Sequence, residues 1–195
     1  MDPINLIVAI NLFVSMSSNL SGAKKGMKSK LSNVVKKPTT YLQKIPPNIA
    51  ALVLILTIAA IFNLGVFDES IKQEYNYLRI IGLVLFIIFS WVQVSSFKAL
   101  GEFYSQDILI FKNHKLIKLG LYKYLRHPQY FSQILSDLGV GLALMGYLII
   151  PIVIFIEIPL FILRAKAEEN LLSAYFNEEF KEYKKKSGFF IPFIG

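Results

Sequence analysis

The sequence predicts an all-α, polytopic integral membrane protein. The prediction rests on three observations. Of the 195 residues, 54% are hydrophobic and only 17% charged, against about a quarter charged in an ordinary soluble domain. The apolar residues fall into runs close to the roughly 20 residues a bilayer-crossing helix needs. The basic residues, which give the chain a formal net charge of +8, lie outside those runs except for Arg79. A disordered chain is excluded by the same composition. The chain has no cysteine and two histidines, His114 and His127. Disulfides, thiolate chemistry and a histidine-rich metal cluster are therefore excluded, and no metal is expected.

The spans follow in order. Ile4 to Leu20 is apolar but short, and is interrupted by Asn5 and Asn11. Asp2 precedes it and lysines follow it, the reverse of a secretory signal, so it is read as a retained first span. Ile49 to Phe67 has no charged residue, and Leu78 to Phe97 has only Arg79 near its start. Tyr130 to Leu163 is too long for one span. It is read as two helices in a hairpin broken near Gly146 to Pro151. Within it, Asp137 lies two turns beyond Tyr130, either lining a substrate tunnel or making a structural polar contact. Glu157 is expected to satisfy backbone groups freed near Pro159.

Lysine placement sets the orientation. Ser21 to Asn48 carries Lys24, Lys25, Lys28, Lys30, Lys36, Lys37 and Lys44 and no acid. Lys98 to Arg126 and Arg164 to Gly195 are also rich in lysine, whereas Asp68 to Tyr77 is acidic. About five spans with the N-terminus outside and the C-terminus cytoplasmic place every basic segment inside; dropping the first span satisfies the rule equally. The lysines are thus read as topology and headgroup contact. Nucleic acid is not an expected partner, because the basic residues are split among three segments without an aromatic platform. The whole of 1–195 is expected to form one domain, with spans and a basic loop in 1–100 and the chemistry in 101–195.

Polar residues gather at the inner ends of the last two spans. One cluster holds His114, Lys115, Leu116, Ile117, Gly120, Tyr122, Arg126, His127, Pro128, Gln129 and Tyr130. Pro128 suits the first turn of a helix, which sets Arg126 and His127 just before a helix N-terminus, a place that favours anions. The other holds Arg164, Lys166, Glu168 and Glu169. Arg164 and Glu168 are i, i+4 neighbours on a continued helix, with Glu169 turned away. The hairpin makes the two clusters neighbours. Their convergence suits a polar, charged cofactor from the cytosol and a lipophilic substrate from the bilayer.

The run H-K-L-I-K-L-G-L-Y-K-Y-L-R-H-P-Q-Y at 114–130, with A-E-E-N-L-L-S-A-Y-F-N-E-E-F-K-E-Y at 167–183, resembles the isoprenylcysteine carboxyl methyltransferases and, more widely, the isoprenylcysteine and phospholipid methyltransferase superfamily. The resemblance covers Gly101 to Pro192. It implies S-adenosylmethionine-dependent methyl transfer in an all-helical membrane protein, with the cofactor site at the cytoplasmic face. By motif position, His114, Leu116, Ile117, Tyr122, Arg126, His127, Pro128, Tyr130 and Glu168 would bind the cofactor. Arg126 would pair with its carboxylate, and Arg164 would face a substrate carboxylate. Arg164 and Glu168 are the candidate catalytic residues. The implied partners are a prenylated or other lipophilic acceptor and membrane lipids. Carboxyl O-methylation of an isoprenylcysteine-type acceptor leads. Phosphatidylethanolamine-type N-methylation, an NADPH-dependent reductase of the sterol type and a non-catalytic binding protein are the alternatives. The sequence departs from the family pattern at Asn113, Leu121 and Asn170, and Asp107 stands where some eukaryotic members have Gln. No role is carried over to Asp107.

Overall fold

The computed structural model describes residues 2–27, 34–192 and 194; Lys28 and Lys30 of the first basic segment lie outside them. The described chain is predominantly helical, as expected. Its long elements are α1 (Pro3–Met27), α2 (Ile45–Ile61), α4 (Asn76–Leu100), α5 (Pro128–Leu144) and α7 (Ile158–Phe176). Short helices α3 (Glu69–Glu74), α6 (Ile149–Ile152) and α8 (Glu178–Lys186) complete the helical set. Strands β1 (Val34–Lys36) and β2 (Ile110–Phe111) form one antiparallel pair, Val34 opposite Phe111 and Lys36 opposite Ile110.

Among the described residues, two helical stretches are long and apolar enough to cross a membrane, Tyr41–Ile61 and Asn76–Leu100. The apolar part of α1, Pro3–Asn19, is shorter, α5 has 17 residues, and the last long run is broken by a π-helical stretch, Val153–Glu157, ahead of Pro159. Large apolar side chains point away from the bundle along its length. Phe13 is 74% exposed, Ile55 62% and Phe155 76%. An outward apolar surface of this extent has no partner in water and fits a lipid surround.

Helices surrounded by lipid gain little from apolar burial, so close packing and interhelical hydrogen bonds must hold them together. The asparagines that interrupt the first apolar run do this for α1. Asn5 Nδ2 donates to Ile61 O at 3.1 Å, and Asn11 Nδ2 donates to Ser90 Oγ at 2.9 Å while Asn11 Oδ1 accepts from Trp91. Asp2 caps α1 by accepting from Ile4 N at 2.8 Å, and it also pairs with buried Arg79 of α4. The first segment is thereby built into the bundle.

The tightest seam is between α4 and α5. A Cβ built on Gly82 would lie 2.6 Å from the Gly139 carbonyl oxygen, and one on Gly139 would lie 2.5 Å from Phe86 N. Only glycine on both sides permits that approach. Arg79 Nε crosses the same seam to Ala143 O at 3.1 Å. The expected hairpin turn is present: α5 ends at Met145, in the left-handed region at φ 55°, and Gly146 N donates to Gly141 O at 2.9 Å. The chain then returns through α6 and α7. α5 therefore lies against α4 more closely than against its hairpin partner. The role expected of Glu157 is overturned. It is fully buried, and its carboxyl meets Asp137 and no backbone group among the described residues.

The strand pair ties the N-terminal half to the segment ahead of His114. A side-chain clamp reinforces it: Gln43 Oε1 accepts from Ile108 N at 2.8 Å, and Gln43 Nε2 donates to Ile108 O at 2.9 Å.

Candidate active site

Pro128 opens α5 and His127 is its N-cap, as the sequence implied. The hairpin carries the start of α5 to the extended end of α7, and Glu168 and Glu169 arrive beside Arg126, His127 and Tyr130. Two later pieces complete the enclosure. α8 presents Phe180 and Tyr183, an i, i+3 pair on its inner face, both buried. The tail then runs beside the motif: Arg126 N donates to Gly188 O at 2.8 Å and Gly188 N donates to Tyr124 O at 2.9 Å.

These elements surround a cleft at one end of the bundle. His114, Leu116, Ile117, Tyr122, Arg126, His127, Tyr130 and Glu168 all line it. Pro128 does not; it sits buried at the start of α5. Arg164 is also outside the lining. It is buried one layer behind the cleft, where its Nε donates to the Tyr130 hydroxyl at 3.1 Å and its terminal nitrogens are held by the carbonyls of Leu42, Gln43 and Gln106.

Tyr130 is the hinge of the arrangement. Its hydroxyl accepts from Arg164 and donates to Glu168 Oε2 at 2.9 Å. Arg164 and Glu168, which helix spacing placed one turn apart, are thus joined through a third residue. The Tyr130 ring is fixed on both faces. It stacks on His127 at 5.7 Å and on Phe161 at 5.2 Å. Glu168 keeps about a third of its side chain exposed toward the cleft.

Glu169 faces the other way, as predicted, and anchors a buried charge cluster. Its Oε1 accepts from Arg126 Nε at 2.5 Å and approaches His127 Nε2 at 3.3 Å, and its Oε2 pairs with Lys184 Nζ at 2.8 Å. Burial alone would raise this carboxyl. Hydrogen bonds from His127, Lys184 and Arg126 outweigh that and hold it at about 2. Arg126 also donates to Ser187 O and to Lys184 O. Its guanidinium is therefore committed to Glu169 and the tail. Burial pushes the Tyr183 hydroxyl up to about 12; it stays protonated and donates to Tyr122 O at 2.6 Å. Burial likewise raises the Tyr122 hydroxyl well above the ordinary tyrosine range.

His114 sits among aromatic rings, 5.1 Å from Phe103 and 5.9 Å from Phe176. Sequence reasoning missed Phe103, Asp107, Phe180 and Tyr183, all of which line the cleft. Asp107 is paired to Lys37 at 2.6 Å, a contact across 70 residues that no local pattern announces. Phe180 and Tyr183 were findable, because two aromatics at helical spacing in a lysine- and glutamate-rich tail are the signature of a packed helix face.

A helical bundle whose hairpin closes a polar, aromatic-lined cleft at one end is the fold of a known intramembrane methyltransferase. The whole chain superposes on the structure of the eukaryotic intramembrane Ras methyltransferase ICMT (isoprenylcysteine carboxyl methyltransferase), with a TM-score of 0.65 at 21% identity, over 69% of that chain. Residues 80–174 match the model of the isoprenylcysteine carboxyl methyltransferase (ICMT) family. The protein-S-isoprenylcysteine O-methyltransferase of Saccharomyces cerevisiae is 32% identical over 134 residues, 68% of this chain and 55% of that protein. The enzyme of the same name from Tribolium castaneum is 27% identical over 124 residues, 63% of this chain and 44% of that protein. The resemblance carried by the two clusters is thus to this family, and the family match begins earlier than the motifs do, inside α4. The chain spans about half the length of these curated relatives.

Proposed function

We propose that the protein is an S-adenosylmethionine-dependent methyltransferase acting on a lipophilic acceptor, by carboxyl O-methylation of an isoprenylcysteine-type substrate. The observation that carries this reading is the chain Arg164–Tyr130–Glu168, with an acid at the cleft and a cation on the side of the loops at 42–43 and 106. The family resemblance supports the same assignment.

The cleft suits the cofactor. Phe103, His114 and Tyr122 offer aromatic faces to a purine, and Glu168 offers a carboxylate to an ammonium or a ribose hydroxyl. S-adenosylmethionine, when bound, supplies a methyl made electrophilic by its sulfonium sulfur. The protein's part is then position and desolvation. A carboxylate acceptor is already ionised at neutral pH and needs no base. Its oxygen forms the new bond to carbon as the sulfur–carbon bond breaks, and no proton moves. Arg164 aims that carboxylate, exchanging the carbonyls of Leu42, Gln43 and Gln106 for it. Tyr130 holds Arg164 and Glu168 in fixed relation. With Arg126 held by Glu169, exposed Lys115 at the cleft is the cation open to the cofactor's carboxylate.

In this reading 1–195 acts as one membrane-embedded domain of about five spans. The N-terminus lies outside and the cleft and C-terminus are cytoplasmic. Prenylated acceptors and membrane lipids are its partners.

The test is methyl-label transfer by the purified protein in bilayers, offered a farnesylcysteine analogue and phosphatidylethanolamine separately. Labelled ester supports the reading. Labelled amine assigns the protein to N-methylation, and no label with either overturns methyl transfer to these acceptors. Arg164→Ala should abolish ester formation while S-adenosylmethionine still raises the melting temperature; loss of both together refutes the division of roles.

A further inference from the structure

A second cavity, of about 240 Å³, lies inside the bundle between α1, α2, α4 and α5. It begins one turn beyond the cleft along α5: Gln129 lines the cleft and Gln133 the cavity. An amide pair, Gln93 to Gln133, bridges α4 and α5 at this point. The lining is unusual for the interior of a membrane protein. Ser15, Asn19, Ser90 and Asp137 all face the cavity, beside Leu12, Leu54, Phe86 and Val140. In lipid each such polar group requires a partner.

The direction of the hydrogen bonds tells which partner. Ser15 gives its proton to Leu12 O at 3.1 Å, Ser90 to Ile87 O at 2.9 Å, and Gln133 Nε2 to Asp137 Oδ2 at 2.5 Å. These three donors are committed to the protein, while the Thr57 and Ser136 hydroxyls, which also line the cavity, can give or accept. Asn19 Oδ1, an acceptor, is buried with no donor among the described residues. Beyond Asp137 lies Glu157, whose carboxyl faces Asp137 and has no cation near it. Among the described residues, no Lys, Arg or His lines the cavity, and none bears on either acid. The cavity thus sets one acid without a cation and one unmet acceptor beside apolar walls. An acid at this depth, without a cation, marks a site. A carboxylate substrate would be repelled there. A group with several N–H donors and a positive charge on an apolar tail is what the lining complements.

We propose that this cavity binds the primary ammonium group of an amphiphile, with Asp137 as its counter-ion and Asn19 and the serine oxygens as neutral acceptors. Two sources carry that chemistry, an aminophospholipid headgroup and a free alkyl amine. The site is separate from the cleft and does not rest on the methyl-transfer reading.

The experiment places the full chain in nanodiscs of phosphatidylcholine alone and of phosphatidylcholine with phosphatidylethanolamine, and follows thermal unfolding and retained lipid by native mass spectrometry. A parallel series in detergent adds dodecylamine or dodecanol. Either phosphatidylethanolamine or dodecylamine should raise the melting temperature by about 5 °C, the scale expected for ligand near 100 times its Kd; which of them does so identifies the source. Phosphatidylcholine, which has no N–H, and dodecanol, which has no charge, should not. Asp137→Asn should remove the shift. Asn19→Leu, which deletes the unmet acceptor, should at least halve it, and so serves if Asp137→Asn fails to fold. Equal stability in all lipids and additives overturns the proposal, as does a shift that survives both substitutions.

Discussion

Replacing Glu169 by glutamine tests the charge cluster behind the cleft quantitatively. The carboxylate gathers Arg126, His127 and Lys184, and its pKa falls from an ordinary 4.5 to about 2. At 1.36 kcal/mol per pH unit that corresponds to roughly 3 kcal/mol of stability in the ionised state. Lys184 is nearly half exposed, so solvent screening reduces its share, and about 2 kcal/mol is the working figure after that discount. For a chain of this size 1 kcal/mol moves the midpoint by about 2–4 °C, so Glu169→Gln should lower it by roughly 4–8 °C at pH 7. The pH dependence carries the sign. A lowered carboxyl contributes its full stabilisation above the unfolded value near 4.5 and loses it as pH falls toward 2. Thermal unfolding of wild type and variant in detergent between pH 7 and pH 3 should therefore give curves that converge below about pH 4.5. A deficit that stays constant across that range would mean that shape, not charge, holds the cluster. No deficit at pH 7 would refute the energetic argument outright.

Other perturbations separate the remaining parts. Tyr130→Phe keeps the stacked ring and removes the hydroxyl between Arg164 and Glu168; methyl-transfer kcat should fall about 10-fold, the worth of one charge-assisted hydrogen bond, with cofactor affinity changed less, as single-turnover kinetics and calorimetry will report. Gly139→Ala drives a methyl into the backbone of α4 and should cost about 1–3 kcal/mol or more, read as a lower melting temperature or loss of folded protein. Met145→Gly relieves a left-handed residue at the hairpin turn but deletes a buried side chain; the packing loss of about 2–5 kcal/mol outweighs the strain relieved, so the melting temperature should fall.

Local signals carried a good part of this structure. Pro128 marked the start of α5, Gly146 the turn, and the spacing of Arg164, Glu168 and Glu169 placed one acid toward the cleft and the other away. These depend on helix geometry alone, which a sequence displays directly. Long-range pairing was not legible. The strands are too short to show a period, and Gln43 meets Ile108 across 65 residues. The commitment of Arg126 to Glu169 was missed because a motif shows that a cation is present, not which anion reaches it first. Gly82 and Gly139 were visible as glycines in apolar helices, a mark of close helix approach, but nothing local matched one to the other. Glu157 was assigned to a kink by proximity to Pro159, and the π-helical path of the chain there carries it inward instead.

The interlocked backbones of α4 and α5 have a further consequence for how anything enters. Where main chain meets main chain there is no side chain to rotate aside, so these two helices move as one body. The wall they form is a fixed anvil, and passage into the cleft falls to the opposite side. There the tail is fastened by two backbone hydrogen bonds at Gly188, the Arg126 guanidinium on the Lys184 and Ser187 carbonyls, the Tyr183 hydroxyl and the ion pair of Lys184. Amide exchange should accordingly be slowest along Gly82–Phe86 and Gly139–Ala143 and fastest over the stretch from Lys184 to Phe190. On the proposed function, turnover would be timed by the peeling and reseating of some seven residues of tail, and a ligand that slows it by pinning that strap would need no foothold in the cleft.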